Sequence, residues 1–176
     1  FCLSRGLGDV YKRQLMRGLS LSVVYRDGVQ HTMLGEEDVS AFLRSPEVSM
    51  AASTISRHMS VRMKMVEKQR EIAGKMSCVL DGRDIGTFVL PDADFKFFLT
   101  ASPEVRARRR FDELTAKGEK VDFETLKQEI AARDEQDSTR AFAPLKKADD
   151  AVLVDTSDMT IDQVLGTIKR KMQEKI

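Results

Sequence analysis

An apolar run of strand length that ends in a charged turn constrains this chain more than any other feature. Residues 76–80 are Met-Ser-Cys-Val-Leu, and the turn after them carries Asp81, Gly82, Arg83 and Asp84. In open α/β folds, the loops beyond the carboxyl ends of strands present polar groups to ligands. Arg83 can hold a phosphate or a carboxylate through two parallel hydrogen bonds, and a carboxylate such as Asp81 can hold hydrated Mg²⁺. The turn taken alone also fits an ordinary Asp-Gly turn with a local ion pair.

Composition predicts one globular domain with no global charge. The chain has 176 residues, 41% of them apolar, with 29 basic and 28 acidic side chains and a net charge of +1. No overall field therefore favours nucleic acid or an anionic membrane, and an anion site has to be local. Cys2 and Cys78 make neither a disulfide framework nor a metal-binding pair. No apolar run approaches the ~20 residues that span a bilayer, so we expect no membrane partner. The two isolated cysteines suit a reducing compartment, so we expect a cytoplasmic protein, and we also expect a monomer.

Residues 1–14 show no helical or strand periodicity. The stretch resembles translated sequencing-adapter read-through, which predicts a non-native leader in place of the true N-terminus. A short disordered leader is the other interpretation. We expect the folded domain to occupy residues 15–176.

Local patterns predict a hairpin and a long helix in the first half of the chain. Two β-rich runs over residues 19–34 flank Asp27-Gly28, a strong type I′ turn signal. Residues 36–43 predict a short helix. Ser45 and Pro46 predict the start of a helix that continues to about residue 72, with its methionines in the core.

The second half alternates strand and helix patterns, which predicts an α/β fold with a parallel sheet and right-handed crossovers. Strands are expected at residues 76–80, 95–99 and 151–154. Helices are expected from Pro103 to before Gly118, over residues 123–134, and at the C-terminus after residues 157–161.

Two arginine-rich segments are candidate anion sites. Arg106, Arg109 and Arg110 share one helical face and would repel one another unless an anion lay between them; a plain solvated surface is the alternative. Further on, helical spacing puts Arg133, Asp137 and Arg140 on one side. Converging guanidiniums suit a transferring phosphoryl group, whereas the alternative is an intrahelical ion-pair ladder.

Together these segments resemble the bacterial cytidylate kinases. The resemblance is carried by residues 81–87, 95–110, 133–140 and 143–145, in order and at family spacing. It implies the P-loop nucleoside-monophosphate kinase fold, an α/β fold with flanking helices. Residues 15–72 would form the monophosphate-binding region with its antiparallel hairpin insertion, and residues 104–143 the lid and its flanks.

The resemblance also implies substrates and residue roles. CMP or dCMP would accept a phosphoryl group from ATP, which brings Mg²⁺ with it, and no cofactor would be tightly bound. The residues that would read cytosine are Ser53, Arg62 and Asp84. Those that would hold the phosphate are Arg83, Arg133 and Arg140, the last two in a catalytic role. Asp137 would accept from the ribose hydroxyls, and Asp81 would lie behind Mg²⁺ through water. Those that would face ATP are Arg106, Arg109 and Arg110.

One family feature is missing from the sequence. Phosphoryl transfer here requires G-x-x-x-x-G-K-[ST], which wraps the ATP phosphates, and the chain has no such run; Gly74-Lys75 is followed by Met76. We therefore expect a kinase truncated before its first strand and P-loop, inactive or nearly so by itself. The alternative is a non-catalytic nucleotide- or RNA-phosphate-binding module, although near-zero charge without interleaved aromatics disfavours nucleic acid.

Overall fold

The hairpin predicted around Asp27-Gly28 is present in the computed structural model. Strands β1 (Leu21–Arg26) and β2 (Val29–Leu34) pair antiparallel. Asp27 and Gly28 have φ values of 53° and 76°, the positive values that a type I′ turn needs. The structure describes residues 14, 16–43, 45–56 and 58–175, with the side chains at positions 46, 49 and 53 excepted. All but the last residue of the predicted leader, residues 1–14, therefore lies outside the described residues.

The prediction of a short helix over residues 36–43 is wrong for the first part of that range. Strand β3 (Glu37–Asp38) continues the antiparallel sheet beside β2, and a 3₁₀ turn (Ser40–Phe42) follows. The Asp38 carboxylate accepts hydrogen bonds from both the backbone N–H and the hydroxyl of Ser40, at 3.0 and 2.6 Å. These local bonds turn the backbone where a helix would otherwise begin.

The long helix is two helices, α1 (Pro46–Ile55) and α2 (Met59–Ala73). Its predicted start is confirmed, because the Ser45 hydroxyl accepts from the backbone N–H of Val48 at 3.2 Å. The prediction of one continuous helix is wrong. His58 is extended, with φ −80° and ψ 116°, and this breaks the helical path before Met59.

The break changes which residues of α2 are buried. Val61 and Val66 are 4% and 3% exposed, whereas Met59 and Met63 are 49% and 43% exposed. The methionines therefore do not fill the core as predicted, because the interruption shifts the helical phase between the two halves of the stripe. Helix α2 lies against β1 in the first of two compact units, which divide between residues 79 and 80.

Residues 76–80 do not form the predicted strand. Val79 is 99% exposed and Met76 is 42% exposed. A strand is defined by hydrogen bonds to a neighbouring strand, and in the described part of the chain this run has no such ladder. The strand prediction for residues 76–80 is therefore wrong, because it rested on apolar composition alone.

The second unit confirms the α/β prediction. Strands β4 (Phe97–Thr100) and β5 (Val152–Asp155) are parallel neighbours. Helices α3 (Pro103–Ala116) and α4 (Phe123–Thr139) form the crossover between them, and α5 (Ile161–Gln173) follows β5. Parallel strands need such a helical connection.

Helices α3 and α4 pack closely against each other. Ala107 is fully buried and Leu114 is 7% exposed. At the turn between the helices, the rings of Phe111 and Phe123 meet edge to face, with centroids 5.9 Å apart. The guanidinium carbon of Arg108 lies 4.3 Å from the Phe123 ring centroid, a cation–π contact. This packing fixes the two helices that carry most of the candidate arginines.

Candidate functional site

The charged turn after residue 80 leads into a single wide π turn that the sequence did not predict. The turn spans Ile85–Val89, and the Asp84 carbonyl accepts from the backbone N–H groups of Phe88 and Val89 at 2.9 and 3.2 Å. Val89 is 2% exposed and anchors the turn in the core. Gly82 is needed at the approach, because a Cβ there would lie 2.9 Å from Cγ1 of Ile85. The turn thus fixes Asp84, which is only 8% exposed.

The end of α4 supplies the other half of the site. Asp122 caps the start of the helix by accepting from the backbone N–H of Thr125, which lowers the pKa of the Asp122 carboxyl. The helix runs further than predicted, to Thr139. Arg140 is the C-cap residue and leaves the helix with ψ 138°. The loop folds back, so that Leu145 N–H donates to the Asp137 carbonyl at 2.8 Å.

Five side chains from these two segments form one cluster, named here the arginine cluster. The Asp137 carboxylate accepts from Nε of Arg83 at 2.8 Å. Nε of Arg133 and Nη1 of Arg140 each lie 4.0 Å from the same carboxylate. Nη2 of Arg140 lies 3.6 Å from Oδ1 of Asp84. The structure therefore brings together the predicted phosphate and ribose residues and one of the predicted cytosine residues.

The cluster has excess positive charge on its outer side. Three guanidiniums surround two carboxylates, and the side chains of Arg83 and Arg133 are 45% and 67% exposed. Those of Asp84 and Asp137 are only 10% and 16% exposed. Guanidiniums bind phosphate through paired hydrogen bonds. An anion approaching from solvent would therefore meet arginines held in place by carboxylates behind them.

An aromatic pair also joins the segments that follow Asp84 and Arg140. The rings of Phe88 and Phe142 meet edge to face with centroids 4.8 Å apart. Nε of Arg140 donates to the carbonyl of Ala143, a non-glycine residue with φ 47°. Sequence reasoning missed Phe88 and Phe142, because neither carries a charge; their one sequence signal is that each follows a charged site segment by two to four positions.

The remaining predicted site residues lie elsewhere. Asp81 is exposed at the start of the charged turn. Arg62 is half-buried on α2, in the first unit. Ser53 is in α1, and its side chain falls outside the described residues. Their roles stay predictions.

The run of arginines on α3 already has partners. Nη2 of Arg106 lies 2.6 Å from Oδ2 of Asp134, and Arg109 donates to Oγ1 and the carbonyl of Thr156 at 3.2 and 2.5 Å. Nη1 of Arg110 lies 2.8 Å from Glu113, and Lys117 and Arg110 together lower the pKa of that carboxyl. Arg106 and Arg110 therefore pair with acids from α4 and from later in α3, and Arg109 is held by oxygen atoms of Thr156.

Among residues 14, 16–43, 45–56 and 58–175, no group of three or more His, Cys, Asp or Glu side chains is placed to hold a metal ion. In the same part of the chain no helix is long and apolar enough to cross a membrane.

The structure is that of a mixed α/β protein that carries a cluster of three arginines and two carboxylates. A model of the cytidylate kinase family matches residues 7–174. Curated relatives include the cytidylate kinase of Halalkalibacterium halodurans, 44% identical over 93% of this chain and 74% of the relative. That of Caldicellulosiruptor bescii is 45% identical over 88% of this chain and 69% of the relative. That of Corynebacterium glutamicum is 52% identical over 84% of this chain and 64% of the relative. The chain belongs to the cytidylate kinase family, and its α/β architecture agrees with a nucleoside-monophosphate kinase-like fold.

Proposed function

We propose that the arginine cluster binds the 5′-phosphate of CMP or dCMP, the acceptor in phosphoryl transfer from ATP. The proposal rests on the convergence of three arginines on the Asp137 carboxylate. Arg83 contacts this carboxylate at 2.8 Å, and Arg133 and Arg140 each lie 4.0 Å from it. The arginines come from two distant segments of the chain, so an intrahelical ladder does not account for them. Family membership makes CMP the fitting anion.

Each residue of the cluster then has a distinct task. Arg83, Arg133 and Arg140 hold the acceptor phosphate and offset its charge, while Asp137 accepts from the ribose hydroxyls. Asp84 accepts from the cytosine amino group. The family resemblance gives Arg62 and Ser53 a role with cytosine as well, and this role remains part of the proposal.

The chemistry proposed for the complete reaction is positioning and electrostatic stabilisation. An oxygen of the CMP phosphate forms a bond to the γ-phosphorus of ATP while the bond from that phosphorus to the β–γ bridging oxygen breaks, giving CDP and ADP. Mg²⁺ enters as part of the ATP substrate. Asp81 is proposed to contact its hydration shell, and Arg109 and Arg110 remain candidates for the ATP side.

The 176 residues contain no G-x-x-x-x-G-K-[ST] run, the sequence that cradles ATP phosphates. We propose that a polypeptide of these residues alone binds CMP but does not phosphorylate it. We further propose that it is cytoplasmic and that it is a monomer. Sedimentation equilibrium would test the monomeric state.

Calorimetric titration of this chain with CMP, UMP and cytidine tests the acceptor site. We expect CMP to bind more tightly than both, with Asp84→Asn removing the preference for CMP over UMP. A coupled ATP/CMP assay on the same sample should show no turnover. Equal binding of CMP and UMP would contradict the cytosine assignment, and turnover at ordinary kinase rates would contradict the inactivity.

The same titration separates the nucleotide site from an RNA-phosphate surface. Binding to RNA phosphates would fall steeply with salt and ignore the base. A pocket for a single nucleotide should instead keep its base preference as salt rises. Base-independent binding to single-stranded RNA, with no affinity for CMP, would overturn the proposed function.

A further inference from the structure

Arg106 connects three parts of the second unit through one side chain. Its Nε donates to the carbonyl of Ala101, the buried residue directly after β4, at 3.0 Å. Its Nη2 lies 2.6 Å from Oδ2 of Asp134 on α4. A guanidinium can make both contacts because its donors are fixed in one plane and point in different directions. Helix α4 is thereby tied to the carboxyl end of a strand.

Two other contacts between α3 and α4 hold the helices to each other without involving a residue of β4. Glu104 and Lys127 form an ion pair at 2.6 Å, with side chains 59% and 39% exposed. Arg108 packs over Phe123 near the turn between the helices. Both contacts hold the helices to each other, whereas Arg106 also holds them to β4.

Asp134 lies beside two members of the arginine cluster in sequence. Arg133 precedes it, and Asp137 follows less than one helical turn later. The position of Asp134 therefore fixes the position of the last two turns of α4.

We propose that Arg106 is a positioning residue for the acceptor phosphate. Through Asp134 it holds the last turns of α4 against the carboxyl end of β4, so that Arg133 and Asp137 keep their place beside Arg83. Its effect on CMP binding rests on the proposed function, whereas its effect on α4 does not. The inference reassigns Arg106 from the ATP side of the site.

The contacts of Arg106 argue against a direct role with ATP. Its Nε and Nη2 are engaged by a backbone carbonyl and a carboxylate, and only 34% of its side chain is exposed. A phosphate could bind this guanidinium fully only by displacing Asp134. Displacement would release α4 at the moment when the cluster has to be ordered.

Hydrogen exchange on the unliganded chain tests the positioning role directly. Arg106→Gln and Asp134→Asn should each raise amide exchange in the last two turns of α4, by roughly three- to tenfold. Lys127→Gln is the matched control, since it removes the ion pair between the same helices that does not reach the sheet. Unchanged exchange in both variants, or an equal rise in the control, would overturn the inference.

Binding measurements test the consequence for the site. Arg106→Gln and Asp134→Asn should each weaken CMP binding by roughly three- to tenfold. Cytidine binding should weaken less, because cytidine loses only the contact of Asp137 with the ribose and has no phosphate contacts to lose. The double variant should be no weaker than either single variant. Arg106→Lys should be intermediate, since one ammonium cannot make both contacts equally well.

Hydrogen exchange and nucleotide binding together distinguish a failure of the proposed function from a failure of the positioning role of Arg106. If the unaltered chain does not bind CMP, the proposed function fails while exchange still decides the role of Arg106. If Arg106→Gln does not fold, Asp134→Asn still decides it, because that variant keeps the contact of Arg106 with β4. Loss of CMP affinity in Arg106→Gln but not in Asp134→Asn would mean that Arg106 acts without Asp134, and would overturn the inference.

Discussion

Nε of Arg83 donates to Oδ2 of Asp137 at 2.8 Å, across 54 positions of the sequence. The contact joins the charged turn after residue 80 to the last turns of α4. It also explains how an exposed arginine can be ready for an anion before the anion arrives. The carboxylate fixes the guanidinium from behind and leaves donors facing solvent.

Replacing Arg83 should weaken nucleotide binding more than folding. A hydrogen bond to a charged group contributes about 1.5–3 kcal/mol, so Arg83→Gln should weaken CMP binding by roughly ten- to a hundredfold. Cytidine, which has no phosphate, should bind as before. The free energy of unfolding should fall by less than about 1 kcal/mol, because Arg83 is the exposed partner of this pair and Arg133 and Arg140 stay near the Asp137 carboxylate.

Calorimetry with CMP and cytidine, together with thermal unfolding, measures both effects. Lys117→Gln serves as the control, because it removes an exposed cation that pairs with Glu113. An equal loss of affinity for cytidine, or the same loss in the control, would contradict the phosphate contact.

The sequence predicted the turns and helix starts that depend only on neighbouring residues. The Asp27-Gly28 turn, the Ser45 cap and the start of α3 at Pro103 each depend on residues within four positions. At the start of α3 the Ser102 hydroxyl accepts from the backbone N–H of Val105. Such features can be predicted from the sequence because the decisive hydrogen bonds are made within one turn.

Features that depend on distant residues could not be predicted in this way. An apolar run such as residues 76–80 is a strand only if another strand pairs with it. The partner of Arg106 on α4 is likewise set by helix packing. The π turn at Ile85–Val89 has no sequence pattern known to us, and its geometry depends on burial of Val89.

A β-carbon at Gly28, the second central residue of the type I′ turn, should strain the backbone. Gly28 has φ 76°, so Gly28→Ala should lower the free energy of unfolding of the hairpin by about 1 kcal/mol. Gly166→Ala is the opposite control. It lies in α5 with open space around it, and alanine there should stabilise the helix by up to about 1 kcal/mol. Urea denaturation followed by circular dichroism measures both, and equal effects of the same sign would contradict the turn assignment.

The contact between Phe88 and Phe142, which joins the two segments that carry the arginine cluster, should matter for binding as well as stability. Phe142→Leu removes the edge-to-face contact with Phe88, which should cost about 0.5–1.5 kcal/mol. Because Phe142 lies two residues after Arg140, CMP affinity should also fall. Phe111→Leu makes the same change in the other aromatic pair, with Phe123, and should cost similar stability without loss of affinity. Equal CMP affinities of the two variants would argue against a link to the cluster.

Asp38 should titrate well below an ordinary aspartate. The hydroxyl and then the backbone N–H of Ser40, followed by His31, lower the pKa of Asp38 from 3.8 to about 2. Because the folded pKa is lower, the stabilisation is complete above about pH 4 and is lost as the pH falls towards 2. In carbon NMR titrations of the carboxyl groups, Ser40→Ala should raise the pKa of Asp38 more than His31→Gln does. Asp122, whose pKa is lowered by Thr125, should be unchanged in both variants. A larger shift with His31→Gln would mean that the imidazole dominates the carboxylate's environment.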